Sequence, residues 1–296
     1  MVEEGSGRYS FDVVAARDDD ILMIKFAEDL DEESAKRFMD DLKSLSISLE
    51  ATPLLACEEV PDDILVTYEG VPSVSPRTLE RVLKGERLPF VYVSRGGVYV
   101  RVRNESIRQL RREKGMSLGE LSLRAGVTRR MIYEYETGRA DATLEVARRL
   151  AQVLGEGVLE RMTIAGIREF TARTLGSGER LEGRIRDPIL KQVYEKLTRA
   201  GFIGLPVKRA PFHIAAKRRA GYPPAKLVLR KNSEPEGEAE EEELTLRVAV
   251  LCRSLVLFIR GERSELVSGE ATKTVHIDRL DEQLSEILHA TRSQAD

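Results

Sequence analysis

Tryptophan is absent from this sequence, and cysteine (2), histidine (3) and asparagine (2) are scarce. Each shortage narrows the chemistry. Cys57 and Cys252 lie far apart in apolar surroundings, and neither has a second Cys or a His at metal-ligand spacing. A disulfide scaffold and a zinc knuckle are therefore excluded, and two buried reduced thiols are expected. His213, His276 and His289 are too scattered to form a metal site. No G-x-S-x-G, P-loop or G-x-G-x-x-G occurs. No catalytic set, cofactor or metal is expected, and the chain is not expected to be an enzyme. Apolar runs stay short of a membrane helix, and the N-terminus lacks the charged, apolar and small-residue series of a signal peptide. The expected location is cytoplasmic, with no membrane partner. The missing Trp, the few Asn and the high charge resemble a thermophile's composition.

Charge is plentiful but uneven. Residues 101–150 hold 12 Lys and Arg against 7 Asp and Glu, a local +5, within a chain of net charge −3, so the remainder carries about −8. A basic island in an acidic chain points to one polyanion-facing surface. The length of 296 residues and 42% hydrophobic content leave room for two or three globular domains.

Apolar periodicity orders the chain. Phe11, Val13 and Ala15 alternate as in a strand, acids at Asp18 to Asp20 make a turn, and Ile21 to Phe26 is a second strand. A helix fits Glu32 to Leu49, with Phe38, Leu42, Leu45 and Leu49 on one face. Pro53 to Cys57 is a strand, and Val71 to Ser75 leads into a helix opened by Ser75-Pro76. Phe90 to Val93 and Val98 to Val102 flank Arg95-Gly96-Gly97 as a hairpin. Residues 156–187, with Gly176, Gly178 and Gly183, read as a linker holding one short helix. Later elements are a helix at Pro188 to Ala200, strands at Phe212 to Lys217, Lys226 to Leu229 and Leu255 to Ile259, and a helix at Leu244 to Arg253. The acidic run 234–243 precedes that helix as a solvated loop or as its exposed start, and a short strand plus helix spans Val275 to Leu288. Phe11 to Arg17 resembles Phe212 to Arg218 at an offset of 201, Val74, Leu79 and Leu83 match Val275, Leu280 and Leu284 at the same offset, and Pro53 matches Leu255 at 202. Shared element order at a fixed offset signals duplication.

The basic island carries the densest motif. Ser117-Leu118-Gly119-Glu120 is a capping box, Ala125-Gly126-Val127-Thr128 a tight turn into the next helix, Gly138 its stop, and Thr143 the cap of a last helix bearing Leu144, Ala147, Leu150 and Leu154. The string Gly115-x-Ser117-x-x-Glu120-Leu121, then Ala125-Gly126-Val127-Thr128-x-x-x-Ile132-x-x-x-Glu136-x-Gly138, resembles the Cro and C1 repressor family. The resemblance implies a third helix in the DNA major groove. Thr128, Arg129, Arg130 and Glu134, with Tyr133 beside them, are then the base or backbone readers. It further implies that Ile132 and Tyr135 face the core and that Arg111 and Glu136 form a structural pair. Two positions depart from the family: Leu118 replaces a frequent Gln, and Asp141 a frequent Asn, each removing a donor to phosphate. Ser117, Arg124 and Arg139 are the expected substitutes.

The flanks resemble restriction-endonuclease-like and Holliday-junction-resolvase-like domains through Asp12 and the strand ending Met23-Ile24-Lys25. Those nucleases need an acid where Met23 stands, and a thioether does not replace a carboxylate on a hard cation. His213 answers Asp12 in the second copy, and Leu227 to Arg230 offers no acid-x-Lys, so both copies read as degenerate. The expected fold is multidomain α+β, a central all-α Cro/C1-type helix-turn-helix bundle between two small α/β nuclease-like domains. Its expected parts are residues 1–88 nuclease-like, 89–103 hairpin connector, 104–155 helix-turn-helix, 156–187 linker and 188–296 second nuclease-like. The whole resembles an archaeal family of helix-turn-helix transcriptional regulators. That implies a sequence-specific binder of double-stranded DNA, a homodimer, nucleoid-associated, with the basal transcription machinery as a further partner. The rival readings are a coactivator that bridges proteins with weak DNA affinity, and a metal-dependent DNA endonuclease.

Overall fold

The computed structural model describes residues 2–4, 9–17, 20–27, 33–174, 185–218, 226–231, 238–260, 263–268, 271–280 and 282. The N-terminal elements are β1 (Val2–Glu4), β2 (Val13–Arg17), β3 (Asp20–Ala27), α1 (Glu33–Leu49), β4 (Thr52–Cys57), β5 (Val66–Tyr68), β6 (Val71–Val74) and α2 (Pro76–Leu83). The middle holds β7 (Val91–Ser94), β8 (Gly97–Val100), α3 (Asn104–Glu113), α4 (Leu118–Ala125), α5 (Arg129–Glu136), β9 (Ala142–Thr143), α6 (Leu144–Leu154) and α7 (Ile164–Thr174). The C-terminal elements are α8 (Pro188–Arg199), β10 (Phe202–Pro206), β11 (Ile214–Arg218), β12 (Lys226–Lys231), α9 (Glu238–Leu251), β13 (Leu255–Arg260), β14 (Arg263–Ser268) and β15 (Ala271–His276). The sheets run β1-β2-β3-β4-β6-β5, β10-β11-β12-β13-β14-β15 and β7-β8-β9. The fold is thus mixed α/β, with the helical bundle in the middle of the chain. No helix among the described residues is long and apolar enough to cross a membrane.

The chain divides into two compact units, residues 1–26, 31–54 and 175–296 in one and 27–30 and 55–174 in the other. In the first, the expected stripe of α1 is realised, with Leu42, Leu45 and Leu49 fully buried. The C-terminal sheet is covered by α8, whose Leu190, Val193 and Leu197 pack with Ile214, Leu227, Leu229 and Leu257. Cys57 and Cys252 are buried and outside any disulfide, and burial pushes the Cys252 thiol up to about 12.

The duplication is visible as repeated geometry. In both halves an edge strand pairs antiparallel with a second, which pairs antiparallel with a third, and a helix then leads to a fourth. The Asp12 N–H donates to the Ile24 carbonyl at 2.8 Å, and the His213 N–H donates to the Leu229 carbonyl at 2.8 Å. Asp12 Oδ2 accepts from the Phe26 N–H at 2.8 Å, and His213 Nδ1 accepts from the Lys231 N–H at 3.2 Å. Beyond the fourth strand the halves diverge. β6 lies parallel beside β4 with β5 at the edge, whereas β14 lies antiparallel beside β13 with β15 at the edge. The matched Val74 and Val275 therefore occupy different sheet positions, a correction to the sequence pairing.

The two halves meet reciprocally, α1 against β10 and β11 and α9 against β2, as in a self-complementary two-fold contact. The Ser10 N–H and Oγ donate to the Arg209 carbonyl at 2.7 and 2.8 Å. The Phe38 ring centre lies 4.4 Å from Lys25 Nζ and 4.6 Å from the Arg209 guanidinium. Buried Asp41 accepts from the Lys208 and Arg209 backbone N–H groups at 3.3 and 2.9 Å.

Several strands exceed the sequence expectation: β1, β5, β10 and β14. Within the acidic run, residues 238–243 are the first turns of α9, and 234–237 lie outside the described residues. Within 156–187, α7 is helical with Ile167 and Phe170 buried, while Gly176, Gly178 and Gly183 lie outside the described residues. Of the turn at Asp18 to Asp20, residues 18 and 19 lie outside them too. So does most of the helix expected before Leu288, after a 3-10 turn at Ile277–Arg279.

Burial raises the pKa of Asp41 above the ordinary carboxylate value, against the opposing pull of the two backbone donors and of Lys208 and Arg209. The folded chain then holds this proton more tightly than the unfolded chain. Stability is therefore lost as pH rises from the unfolded pKa through the folded one. Urea unfolding of the wild type and Asp41→Asn at pH 4 and pH 7 checks this. The stability difference should move in the variant's favour at pH 7, and a pH-independent difference contradicts the assignment.

Candidate nucleic-acid interface

The middle of the chain builds one rigid helical frame. Ile107 of α3, Leu121 and Ala125 of α4, Ile132 and Tyr135 of α5, and Ala147, Leu150 and Leu154 of α6 share one core. The entry to α4 is a capping box: Ser117 Oγ accepts from the Glu120 N–H at 3.1 Å, and the Glu120 carboxylate accepts from the Ser117 N–H at 2.7 Å. α4 stops at Gly126, whose φ of +69° is left-handed and favours a residue without Cβ. Two residues on, Thr128 starts α5 by accepting from the Met131 N–H at 3.2 Å. This short turn fixes α5 against α4. Thr143 occupies the cap position of α6, but its hydroxyl makes no capping bond.

Glu136 ties α5 to two arginines of α3, Arg111 and, at 3.8 Å, Arg108. Arg111 donates from Nε to Glu136 Oε1 at 2.5 Å and from Nη2 to Oε2 at 3.1 Å, and from Nη1 to the Met116 carbonyl at 2.8 Å. The Glu136 side chain is only 4% exposed. Planar bidentate pairing restricts rotation and translation of α5 together.

The opposite face of α5 is open. Arg129 and Arg130 are exposed and Tyr133 is 45% exposed, while Ile132, Tyr135 and Glu136 are buried. Arg130 donates from Nε to Glu134 Oε1 at 2.9 Å, its side chain is 86% exposed, and neither terminal nitrogen has a hydrogen bond among the described residues. Arg129 folds back over α4, so that a Cβ on Gly119 would sit 2.9 Å from its Nε. The Arg139 guanidinium stands 6.0 Å from the Tyr133 ring centre. Exposed Arg124 lies in the last turn of α4. The structure thus groups Thr128, Arg129, Arg130, Tyr133, Glu134 and Arg139 on α5 or at its two ends, with Arg124 on α4 and Ser117 at its cap. Ser117 spends its hydroxyl and N–H on the cap.

Three contacts escaped the sequence reading. Tyr92 Oη donates to Asp141 Oδ2 at 2.9 Å, and β8 pairs with β9 through Tyr99↔Thr143 and Val100↔Ala142. Buried Arg101 donates to the Gly166 carbonyl and Glu169 at 3.2 Å each and lies 3.4 Å from Glu160. A lone Arg between Val100 and Val102 was the available signal for that last cluster.

The N-terminal sheet holds a second polar group. Lys25 Nζ donates to Asp12 Oδ1 at 2.8 Å and to the Tyr9 carbonyl at 3.0 Å, while Asp12 Oδ2 accepts the Phe26 N–H. Both carboxylate oxygens are therefore engaged, and buried Met23 stands two residues before Lys25. Among the described residues, no three His, Cys, Asp or Glu side chains converge. This donor set does not fit a hard divalent cation. In the second copy Arg230 donates to the Pro211 carbonyl and pairs with Glu241.

Comparison with known proteins agrees with both segments. A helix-turn-helix family model matches residues 107–160, and a PD-(D/E)XK superfamily domain model matches residues 2–88. A Sulfolobus acidocaldarius protein named "Putative HTH-type transcriptional regulatory protein" is 37% identical over 162 residues, 54% of this chain and 53% of that protein. Proteins of the same name from Thermococcus gammatolerans and Pyrococcus furiosus are each 31% identical over 70% of this chain, covering 64% and 65% of their own length. This chain is similar to archaeal proteins that carry that name. It spans between about half and two thirds of those relatives, at 53–65% of their length.

The helix-turn-helix domain should be sensitive to its buried pair. Glu136→Gln leaves the Arg111 charge unmatched in a mostly buried site, and should destabilise the domain by about 3 kcal/mol. Urea unfolding measures this, and a loss within the ~1 kcal/mol of an exposed pair contradicts the role given to Glu136.

Proposed function

We propose that the chain is a sequence-specific double-stranded DNA-binding transcriptional regulator that inserts α5 into the major groove. The observation that carries this reading is the exposed guanidinium of Arg130, with both terminal nitrogens uncommitted, on a helix whose other face is locked by Arg111 and Glu136. A guanidinium fork matches the O6 and N7 acceptors of guanine. Arg129 can swing from its place over Gly119 toward an adjoining base, because only a flexible side-chain end has to move. Thr128 and Tyr133 line the same face for backbone or base-edge contact. Glu134 accepts from Arg130 in the free protein, and can accept from a cytosine amine if Arg130 turns to the DNA. Arg124 and Arg139 supply phosphate contacts on either side, while Ser117 acts through α4's cap.

The names of the relatives support regulation of transcription as the use of this binding. One small recognition helix covers few base pairs, so a homodimer on two half-sites supplies the required specificity. Basal transcription factors are natural further partners for the remaining surfaces, and DNA binding would associate the protein with the nucleoid. The N-terminal domain serves as frame rather than as nuclease, since Asp12 is neutralised by Lys25 where a metal would need it.

The test is binding of the purified chain to genomic fragments, compared with an Arg129→Ala/Arg130→Ala double variant. Each lost bidentate base contact should reduce discrimination by about 1–3 kcal/mol, so the double variant should lose most of its sequence preference. An unchanged preference would sink the assignment.

A further inference from the structure

The β7–β8 hairpin is fixed to the domain that carries α5. Only residues 137–141 separate α5 from β9, and β9 pairs directly with β8. The Tyr92 hydroxyl donates to Asp141 within that short loop, and the Tyr92 ring lies 5.9 Å from Tyr99 and 5.0 Å from Phe170. The hairpin therefore cannot shift independently of the loop that ends the recognition surface, where Arg139 projects.

Its tip is narrow and bare. Ser94 pairs with Gly97, so Arg95 and Gly96 alone form the turn, with φ of +98° at Gly96 and +148° at Gly97. Residues 93–97 are all exposed, including an unusual apolar Val93. Because β8 is antiparallel to β9, the tip continues past Thr143, the last residue of β9. The three residues from the Tyr92 anchor to Arg95 give an arm of about 10 Å at ~3.3 Å per residue, close to the ~12 Å width of a major groove.

Charge separates Arg95 from its neighbours. A cleft of 750 Å³ beside the hairpin is lined by Arg95, Arg101, Arg173, Asp141 and Phe170 among others. Arg101 is occupied by Glu160, Glu169 and the Gly166 carbonyl, Arg173 by Glu169 at 2.6 Å, and Asp141 by Tyr92. Arg95 has no hydrogen bond or ion pair among the described residues. An unneutralised guanidinium on a rigid narrow arm has the chemistry to bind a phosphodiester.

We propose that the β7–β8 hairpin is a second DNA contact, in which Arg95 binds a backbone phosphate flanking the base pairs addressed by α5. This rests on the DNA-binding reading above. Arg95 adds affinity and orientation, not base preference, since a phosphate carries no sequence information.

The experiment uses the full chain, Arg95→Ala, Arg95→Lys and Arg130→Ala on two duplexes, one selected by the wild type and one scrambled, across a salt series. Arg95→Ala should weaken binding to both by a similar factor, roughly threefold to tenfold, and lower the slope of log affinity against log salt by about 0.9. Arg95→Lys should keep the slope, and the unfolding midpoint of each Arg95 variant should match the wild type. Wild-type affinity and slope in Arg95→Ala, with Arg130→Ala still impaired, overturn the hairpin contact and leave the recognition helix standing. Absence of binding by the intact chain, or full binding by Arg130→Ala with unchanged preference, overturns both readings.

Discussion

The helix proposed to face DNA is oriented by a buried charged contact on its hidden side. Arg111 and Glu136 join α3 to α5 through two parallel hydrogen bonds, and Glu136 is nearly inaccessible to water. A hydrophobic contact at that point would hold α5 close but would let it slide or turn, because dispersion is non-directional. Two hydrogen bonds in one plane resist both. The register of Arg129, Arg130 and Tyr133 on the outer face follows from that restraint, together with the short Gly126–Thr128 turn. The capping box of Ser117 and Glu120 acts one step earlier by fixing where α4 begins.

The outer segments follow a different logic, in which matching positions share their hydrogen bonds and differ in their side chains. Asp12 and His213 occupy matching places, each accepting an N–H two residues beyond the carbonyl that receives its own N–H. Lys25 and Arg230 likewise both donate to a backbone carbonyl a few residues before that position. In the first copy the lysine closes on Asp12; in the second the arginine turns to Glu241. The reciprocal contact of α1 and α9 with the opposite half joins the two repeated segments, with two cations close to the Phe38 ring and Ser10 bonded to Arg209.

What the sequence made legible was local. Ser117 with Glu120, Gly126 before Val127-Thr128, and Ser75 before Pro76 are encoded within four residues, and each is found where the spacing placed it. The four-three-four stripe of α1 was readable for the same reason. The strands that were missed, β1, β5, β10 and β14, are short or polar, and their pairing depends on partners that the alternation of one segment does not reveal. The grouping of α5's outer side chains was visible once the helix was placed. The use of their charges was not, since the Arg130–Glu134 bond, the rest of Arg129 on Gly119 and the Tyr92–Asp141 link are products of packing. The hairpin reads in sequence as a connector. Its ladder with β9 and the Tyr92–Asp141 bond make it part of the helix-turn-helix unit.

Selection of bound duplexes from a fully randomised pool by the intact chain addresses the central claim most directly. The account predicts convergence on one motif, with two half-sites whose centres lie about one helical turn, ~10 base pairs, or a multiple of it apart. A pool that stays random while the chain still binds it in a salt-dependent way would contradict readout by α5.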